Sequence, residues 1–366
     1  MALGQNPFTP TFGRIPPFMA GRDELIDELL RAFEGDPFDP ILSSIFVGAR
    51  GSGKTALLSY VSEQAASMGW IVASTSAGPG MLEDLEQCAL RGAKDLIGTG
   101  EQRRLTGVNV AQMIGLEWEQ AQPAAANWRT RMTNLLEQLE PHGTGLLITV
   151  DEVRPDIDEM LQLAMVYQHF VREGRQVALL MAGLPSKVSS LLLDESVSFL
   201  RRSSYHHLGR IEDAAVEDAL VKTIELGGRT IDEDALVEAV RSIDGFPYMM
   251  QLVGHRTWNE SPSQSTICLQ DVERGVKRAA ADIEHKVLET TYRELSKGDI
   301  RFLEAMLPDA GETDVADIKA RMGKKSNYVS QYKRRLVAQG VIEDRGHGML
   351  AIEIPFFKEY LRKRLT

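Results

Sequence analysis

The segment from Gly48 to Thr55 reads Gly-Ala-Arg-Gly-Ser-Gly-Lys-Thr and fits the spacing G-x-x-x-x-G-K-[ST]. It follows an apolar run and precedes an amphipathic helical pattern. Glycines at this spacing let backbone N–H groups surround phosphate oxygens at a helix N-terminus, whose dipole favours anions. We therefore predict that the whole loop binds the phosphates of a nucleotide: Gly48, Ala49, Arg50, Gly51, Ser52, Gly53, Lys54 and Thr55. Lys54 would reach the β- and γ-phosphates, and the Thr55 hydroxyl would ligate Mg²⁺.

Two acidic residues follow a second apolar run. Leu146 to Val150 reads as a buried strand, and Asp151 and Glu152 come directly after it. Ligands bind at the carboxyl ends of the strands in open parallel sheets. Asp151 is predicted to hold Mg²⁺, and Glu152 to orient or deprotonate an attacking water.

The pattern around these residues alternates short apolar runs with helical stretches from Ile41 to about Ile211. Such alternation predicts an α/β fold, a parallel sheet with helices on both faces. Residues 98–125 do not fit the alternation and are interpreted as an insertion. A Pro- and Phe-rich arm precedes the core and is expected to lie across the next domain.

Two further regions follow. Residues 212–290 carry only helical periodicity and predict an all-α lid. Residues 291–366 contain three short helical patterns and then an alternating segment around Gly346 and Gly348, which predicts a winged helix-turn-helix. The predicted domains are therefore 1–211, 212–290 and 291–366.

The third helical pattern of the C-terminal region leaves polar and basic residues on its outer face once Val329, Tyr332 and Leu336 pack inward. Such side chains read base edges and grip phosphates in the major groove. The predicted DNA-binding residues are Lys325, Asn327, Ser330, Gln331, Lys333, Arg334 and, on the wing, Arg345. Protein docking and a plain scaffold role remain as alternatives.

Composition sets the limits of these predictions. The chain has 366 residues and a net charge of −11, yet the residues from Thr291 onward carry 15 Lys/Arg against 11 Asp/Glu. An acidic body with a basic C-terminal region is a hint of nucleic-acid contact. Two cysteines exclude a disulfide framework, and the sequence shows neither a signal peptide nor a long apolar run. A cytoplasmic protein without a membrane partner is expected.

Together the phosphate loop, the Asp151-Glu152 strand end, the lid and the winged helix resemble an AAA+ P-loop ATPase of the origin-recognition and initiator-like group, whose bacterial relatives include STAND-type switches. In this resemblance residues 48–55 are the Walker A loop, and Asp151 and Glu152 end the Walker B strand. Gly21-Arg22-Asp23 matches the box that precedes the loop, which implies that Arg22 borders the adenine of ATP. An ion pair of Arg22 with a nearby carboxylate is the simpler alternative.

The resemblance also implies features that this sequence lacks or alters. The strand Val177–Met181 ends in Ala182-Gly183 without a polar sensor, and Tyr248 stands where the family has a second-sensor arginine, with Arg256 two turns further along. Arg201 and Arg202 lie where an arginine would reach the nucleotide of a neighbouring subunit, although a surface Arg pair is an equal alternative. Slow or partner-stimulated hydrolysis and ATP-promoted self-association are therefore expected.

The predicted function is an ATP- and Mg²⁺-dependent ATPase whose nucleotide state controls binding to double-stranded DNA. Two alternatives stay open. One is a STAND-like signalling switch in which the nucleotide exposes a surface for a protein partner, and the other is a helper ATPase in transposition or defence.

Overall fold

The computed structural model describes residues 5–11, 13–36, 38–101 and 127–365, with the backbone alone for 95–101. The predicted insertion at 98–125 lies outside the described residues except for its first four. Those four continue the helix Met81–Glu101.

A five-stranded parallel sheet forms the centre of the N-terminal half, with the strand order β2-β3-β4-β1-β5. The strands are β1 (Ser43–Val47), β2 (Ile71–Ser76), β3 (Leu146–Asp151), β4 (Val177–Gly183) and β5 (Ser204–His207). Along β1, Phe46 packs into one core while Ile45 and Val47 pack into another, as the period of two requires. Both faces are therefore buried, which confirms the predicted fold class.

Helices cover the two faces of this sheet. Helices α1 (Asp23–Glu34) and α2 (Lys54–Ser67) pack on one face. On the other face lie α3 (Met81–Glu101), α4 (Trp128–Leu139), α5 (Asp158–Arg172) and α6 (Pro185–Leu193). The phosphate loop joins β1, an interior strand, to α2, so the sheet places the loop at its carboxyl edge.

The lid contains helices α7 (Asp213–Leu226), α8 (Glu233–Ile243), α9 (Pro247–Trp258) and α10 (Leu269–Ile283). It also contains two short parallel strands, β6 (Thr230–Ile231) and β7 (Thr266–Ile267), which the helical pattern of the sequence did not predict. Helical structure then continues through Glu284–Leu288 into α11 (Glu289–Glu294), across the predicted domain boundary at residue 290.

The C-terminal region has the elements of a winged helix. Its helices are α12 (Lys297–Met306), α13 (Val315–Met322) and α14 (Ser326–Ala338). Its strands are β8 (Thr313–Asp314), β9 (Ile342–Gly346) and β10 (Met349–Ile352), and they form an antiparallel sheet in the order β8-β10-β9. A final helix, α15 (Phe357–Leu365), closes the chain and was not predicted.

The N-terminal arm binds the lid. Phe8 is 3% exposed and packs against Gly254 of α9, where an added Cβ would lie 2.3 Å from its ring. Asn6 Nδ2 donates to the His255 carbonyl oxygen (3.0 Å), and the Thr9 N–H donates to Gln251 Oε1 (2.9 Å). The first residues of the arm are therefore fixed to the lid, and residues further along it line a pocket with the phosphate loop and the lid.

Candidate nucleotide-binding site

The phosphate loop has the backbone that phosphate binding needs. Gly51 and Gly53 have φ of +85° and +90°, which L side chains rarely adopt. A Cβ on Gly48 would lie 2.6 Å from both the Leu208 carbonyl oxygen and Ser52 Oγ, so this position also excludes a side chain. The loop opens directly into α2, because Gly53 is the N-cap of that helix.

Lys54 folds back over the loop. Its Nζ donates to the carbonyl oxygens of Gly48 (2.9 Å) and Ala49 (2.7 Å). Burial lowers the pKa of Lys54 to about 8, while the nearby carboxylates of Asp151 and Glu152 act in the opposite direction. A cation held in a partly dehydrated loop interacts strongly with an anion that reaches it.

Thr55 and Asp151 meet as predicted from the sequence. Thr55 Oγ1 donates to Asp151 Oδ2 at 2.5 Å, across 96 residues of chain. One hydroxyl and one carboxylate are the hard oxygen donors that Mg²⁺ takes when it keeps several waters and binds substrate phosphates. The residues present therefore fit a phosphate-bound Mg²⁺.

Glu152 extends from the end of β3 with an exposed carboxylate. Its φ is +53°, and its N–H donates to Asp151 Oδ1 (2.8 Å). A non-glycine residue in the left-handed region costs about 1–3 kcal/mol, and such strain concentrates at functional sites. The turn separates the two acids, so that Asp151 lies beside Thr55 while Glu152 extends towards solvent.

A pocket beside the loop lies between the arm, the phosphate loop and the lid. Phe18 and Arg22 line it from the arm side, Ser52 from the loop, and Ile211 and Met250 from the lid side. Arg22 Nη2 donates to the Gly209 carbonyl oxygen at 2.6 Å, and burial lowers the pKa of this guanidinium. The structure thus brings Arg22 to the pocket, and among the described residues no carboxylate pairs with it as the simpler alternative required.

The lid touches the phosphate loop directly. The Tyr248 N–H donates to the Gly51 carbonyl oxygen (3.2 Å), and Phe246 lies 3.0 Å from the position of a Cβ on Gly51. Tyr248 brings no positive charge, and Arg256 is paired with Asp282 at 2.5 Å. In the described part of the chain, neither Tyr248 nor Arg256 therefore brings an unpaired cation to the second-sensor position.

Arg201 and Arg202 lie apart from this pocket in the described part of the chain, in the helical turns of Glu195–Arg202 that precede β5. Both side chains are exposed, and Arg201 Nε donates to the Leu192 carbonyl oxygen (2.7 Å). Exposure is compatible with a contact to a second subunit, and their assignment stays a prediction.

The predicted DNA-binding residues fall into two groups. Lys325, Asn327, Ser330, Gln331 and Arg334 are exposed on α14 or at its start. Lys333 instead pairs with Asp344 of the wing (2.6 Å), and Arg345 pairs with Glu343 (2.8 Å). DNA contact by these two cations would require them to exchange partners, and the predicted role of all seven residues stays untested.

The C-terminal region lies close to the nucleotide site, which sequence analysis did not predict. A Cβ on Gly340, just after α14, would lie 3.2 Å from Ala49 Cα in the phosphate loop. Arg50 of the same loop pairs with Glu294 at 3.5 Å, across 244 residues. Helix α14 also lies against α6 of the N-terminal α/β core. These contacts are long-range, and no periodicity or motif encodes them.

Comparison with solved structures identifies the architecture. The ORC2 protein of Aeropyrum pernix, in its ADPNP–ADP complexes, superposes with a TM-score of 0.65 at 16% identity, over 99% of this chain and 97% of that one. A Walker-type ATPase of Pyrococcus abyssi gives the same TM-score at 14% identity, over 93% and 95% of the two chains. The chain has the fold of the ORC/Cdc6-type AAA+ ATPases.

Other relatives are more distant or match only part of the chain. Cdc6p of Pyrobaculum aerophilum shares the ORC/Cdc6-type fold with a TM-score of 0.50 at 13% identity, over 98% of both chains. Residues 285–361 match the model of a domain of unknown function, DUF8462. A polyribonucleotide nucleotidyltransferase of Streptococcus equi subsp. zooepidemicus is 29% identical over 152 residues, which span 37% of this chain and 21% of that protein.

None of the helices in the described residues is both long and apolar enough to cross a membrane.

Proposed function

We propose that the chain binds ATP and Mg²⁺ between its phosphate loop, arm and lid, hydrolyses ATP slowly, and uses the nucleotide state to set the position of a DNA-binding C-terminal domain. The observation that carries this proposal is the contact of the C-terminal region with the phosphate loop, through Gly340 on Ala49 and Glu294 on Arg50. A movement of the loop would displace the C-terminal region, because Gly340 packs against Ala49 and Glu294 pairs with Arg50. The domain division at residues 211 and 290 belongs to the same proposal.

The roles of the site residues follow from their geometry. Lys54 exchanges its two carbonyl partners for β- and γ-phosphate oxygens, and the N–H groups of the glycine-rich loop bind the remaining oxygens. Thr55 and Asp151 hold Mg²⁺, which neutralises charge on the phosphates during transfer. Glu152 accepts a proton from the attacking water, since its exposed carboxylate lies at the edge of the sheet, directly after Asp151.

Slow hydrolysis is supported by the missing cations. β4 ends in Ala182-Gly183, Tyr248 is uncharged, and Arg256 is held by Asp282. An arginine from a second subunit, Arg201 or Arg202, would supply a second cation at the γ-phosphate beside Lys54, which the sensor positions in the described part of the chain do not supply. ATP-promoted self-association is therefore part of the proposal.

DNA binding is supported by the exposed polar and basic side chains of α14. The major groove is about 12 Å wide and a helix with its side chains about 10–12 Å across, so the groove needs both flanks of a bound helix to be free. One flank of α14 faces α6 in this structure. We therefore expect α14 to move away from the core before it enters a groove.

The test is binding of random duplex DNA to the purified chain without nucleotide, with ADP and with a non-hydrolysable ATP analogue, at two salt concentrations. Affinity that depends on nucleotide and falls with salt supports the proposal, since phosphate contacts release counterions. Equal affinity in all three states would rule out nucleotide control, and no binding in any state would rule out DNA as the ligand.

A second candidate is a nucleotide switch whose exposed surface binds a protein. It is favoured by the C-terminal cations that are already paired, among them Lys333, Arg335 and Arg345. Capture of a defined protein partner in only one nucleotide state, without DNA binding at low salt, would select it over the first proposal.

A further inference from the structure

A single arginine joins three parts of the molecule at the hinge between the core and the lid. Arg210 lies in the linker between β5 and α7, and its guanidinium forms an ion pair with Asp244 of the lid. Its Nη2 donates to the Ile352 carbonyl oxygen of the wing at 3.4 Å, and its Nε lies 3.8 Å from Glu353 Oε2. Linker, lid and wing therefore share one side chain, which is only 25% exposed.

The linker that carries Arg210 also borders the nucleotide pocket. On one side of Arg210, the Gly209 carbonyl oxygen accepts from Arg22 (2.6 Å). On the other side Ile211 lines the pocket, and its N–H donates to the Gly245 carbonyl oxygen at 2.7 Å. Gly245 has φ +67°, and an added Cβ would lie 2.4 Å from the Ile211 carbonyl oxygen. Because both neighbours of Arg210 are held in this way, a change at the pocket that shifts the linker would also move Arg210.

On the wing side, two carboxylates lie together. Glu343 and Glu353 occupy one face of the β9–β10 hairpin, and Glu353 is 6% exposed. Glu353 is faced by Glu343 and Arg345 of the wing and by Arg210 of the linker, with Asp244 behind Arg210. Burial, then the adjacent Glu343, raises the pKa of Glu353 to about 7.

We propose that Arg210 is a positioning residue that clamps the wing to the lid and the core–lid linker, and so transmits the state of the nucleotide pocket to the C-terminal domain. The control of the C-terminal domain by the nucleotide rests on the proposed function. The contacts of Arg210 themselves need neither DNA nor hydrolysis. Without Arg210 the buried Glu353 loses its nearest linker cation, and the wing loses its hydrogen bond at Ile352.

The clamp is sensitive to protons. Docking of the wing buries Glu353 and so raises its pKa, and a group with a raised pKa favours the docked form at low pH and loses that contribution as pH rises through 7. Because Glu343 belongs to the wing and keeps part of this shift in the undocked wing, docking should weaken by less than about tenfold between pH 6 and pH 8. Glu353→Gln cannot ionise and should dock equally at both values.

The experiment measures the distance between labels at Ser67 on α2 and Lys319 on α13, both exposed, in the full chain with Cys88→Ala and Cys268→Ser. We expect Arg210→Ala to shift the distance distribution to longer values and Arg210→Lys to restore most of the docked population. Arg241→Ala is the matched control, because Arg241 is an exposed lid arginine that pairs with Glu238 within its own helix. It should leave the distribution unchanged.

An unchanged distribution in Arg210→Ala, or a pH dependence that persists in Glu353→Gln, would overturn the clamp. If Arg210→Ala does not fold, Arg210→Lys and Glu353→Gln still decide the question through the pH profile. All readings are taken without DNA, so a chain that never binds DNA could still show the clamp, and the two proposals can fail separately.

Discussion

The phosphate loop and helix α14 present charge in two different ways. In the loop, glycines with positive φ fix the N–H groups, and Lys54 is drawn inward onto the carbonyl oxygens of the loop itself. On α14 the charges stand on long side chains, and a distant acid such as Asp344 decides whether a cation such as Lys333 is free. The loop is thus a site that a few consecutive residues determine, whereas the charge of α14 depends on the tertiary structure.

Glu152→Gln should give the largest effect at the loop. Loss of a proton acceptor costs about 10²–10⁴-fold in rate, while nucleotide affinity stays within about twofold because Glu152 is exposed and beside Asp151 rather than within the loop. Single-turnover hydrolysis and binding of a fluorescent nucleotide measure the two quantities. Unaltered turnover would remove Glu152 from the mechanism and would leave the loop as a binding site alone.

Lys54→Ala should weaken nucleotide binding about 100-fold or more, since charge-assisted hydrogen bonds contribute about 1.5–3 kcal/mol each and the lysine reaches two phosphates. The measurement is titration of the nucleotide into the variant, with a thermal melt to show that the chain is folded. Thr9→Ala serves as a control that alters the arm without touching the loop, because its backbone N–H keeps the bond to Gln251. Retained affinity in Lys54→Ala would mean that the loop does not hold the phosphates.

The pH dependence of nucleotide binding sharpens the same point. The pKa of Lys54 is lowered to about 8 by burial, so the side chain is mostly charged at pH 7 and mostly neutral at pH 9. Affinity should therefore fall about tenfold between these values, because the neutral amine no longer attracts phosphate. In Lys54→Arg the guanidinium stays charged throughout, and the profile should be flat. A flat profile in the unaltered chain would contradict the assignment.

Sequence reasoning worked wherever the signal lay within a short stretch. The phosphate loop, the Asp151-Glu152 strand end and the order of strands and helices each rest on consecutive residues, and the structure has them in place. The strands β6 and β7 were missed because two residues cannot show an alternation. Helix α15 was missed although Phe357, Tyr360 and Leu361 do carry helical spacing.

The contacts between the parts of the chain could not be predicted from a single sequence. Arg50 meets Glu294 and Gly340 meets Ala49 only because the region after the lid packs against the phosphate loop, and both pairs join residues more than 240 positions apart. The same holds for the ion pair that occupies Lys333, which joins α14 to the wing. The sequence shows where charged side chains occur. Only the fold shows which of them already form ion pairs within the chain.

The smallest expected effects test that last distinction on α14 itself. Arg334 is exposed and forms no ion pair within the described part of the chain, so Arg334→Ala should weaken DNA binding about fivefold and reduce the salt slope by about one. Asp344→Asn should release Lys333 and strengthen binding about twofold, since a cation that was neutralised becomes available to a phosphate. Lys222→Ala, an exposed lid lysine paired with Asp218, is the control and should change neither quantity. Equal losses in Arg334→Ala and Lys222→Ala would mean that DNA senses only net charge, and the outer face of α14 would then lose its special role.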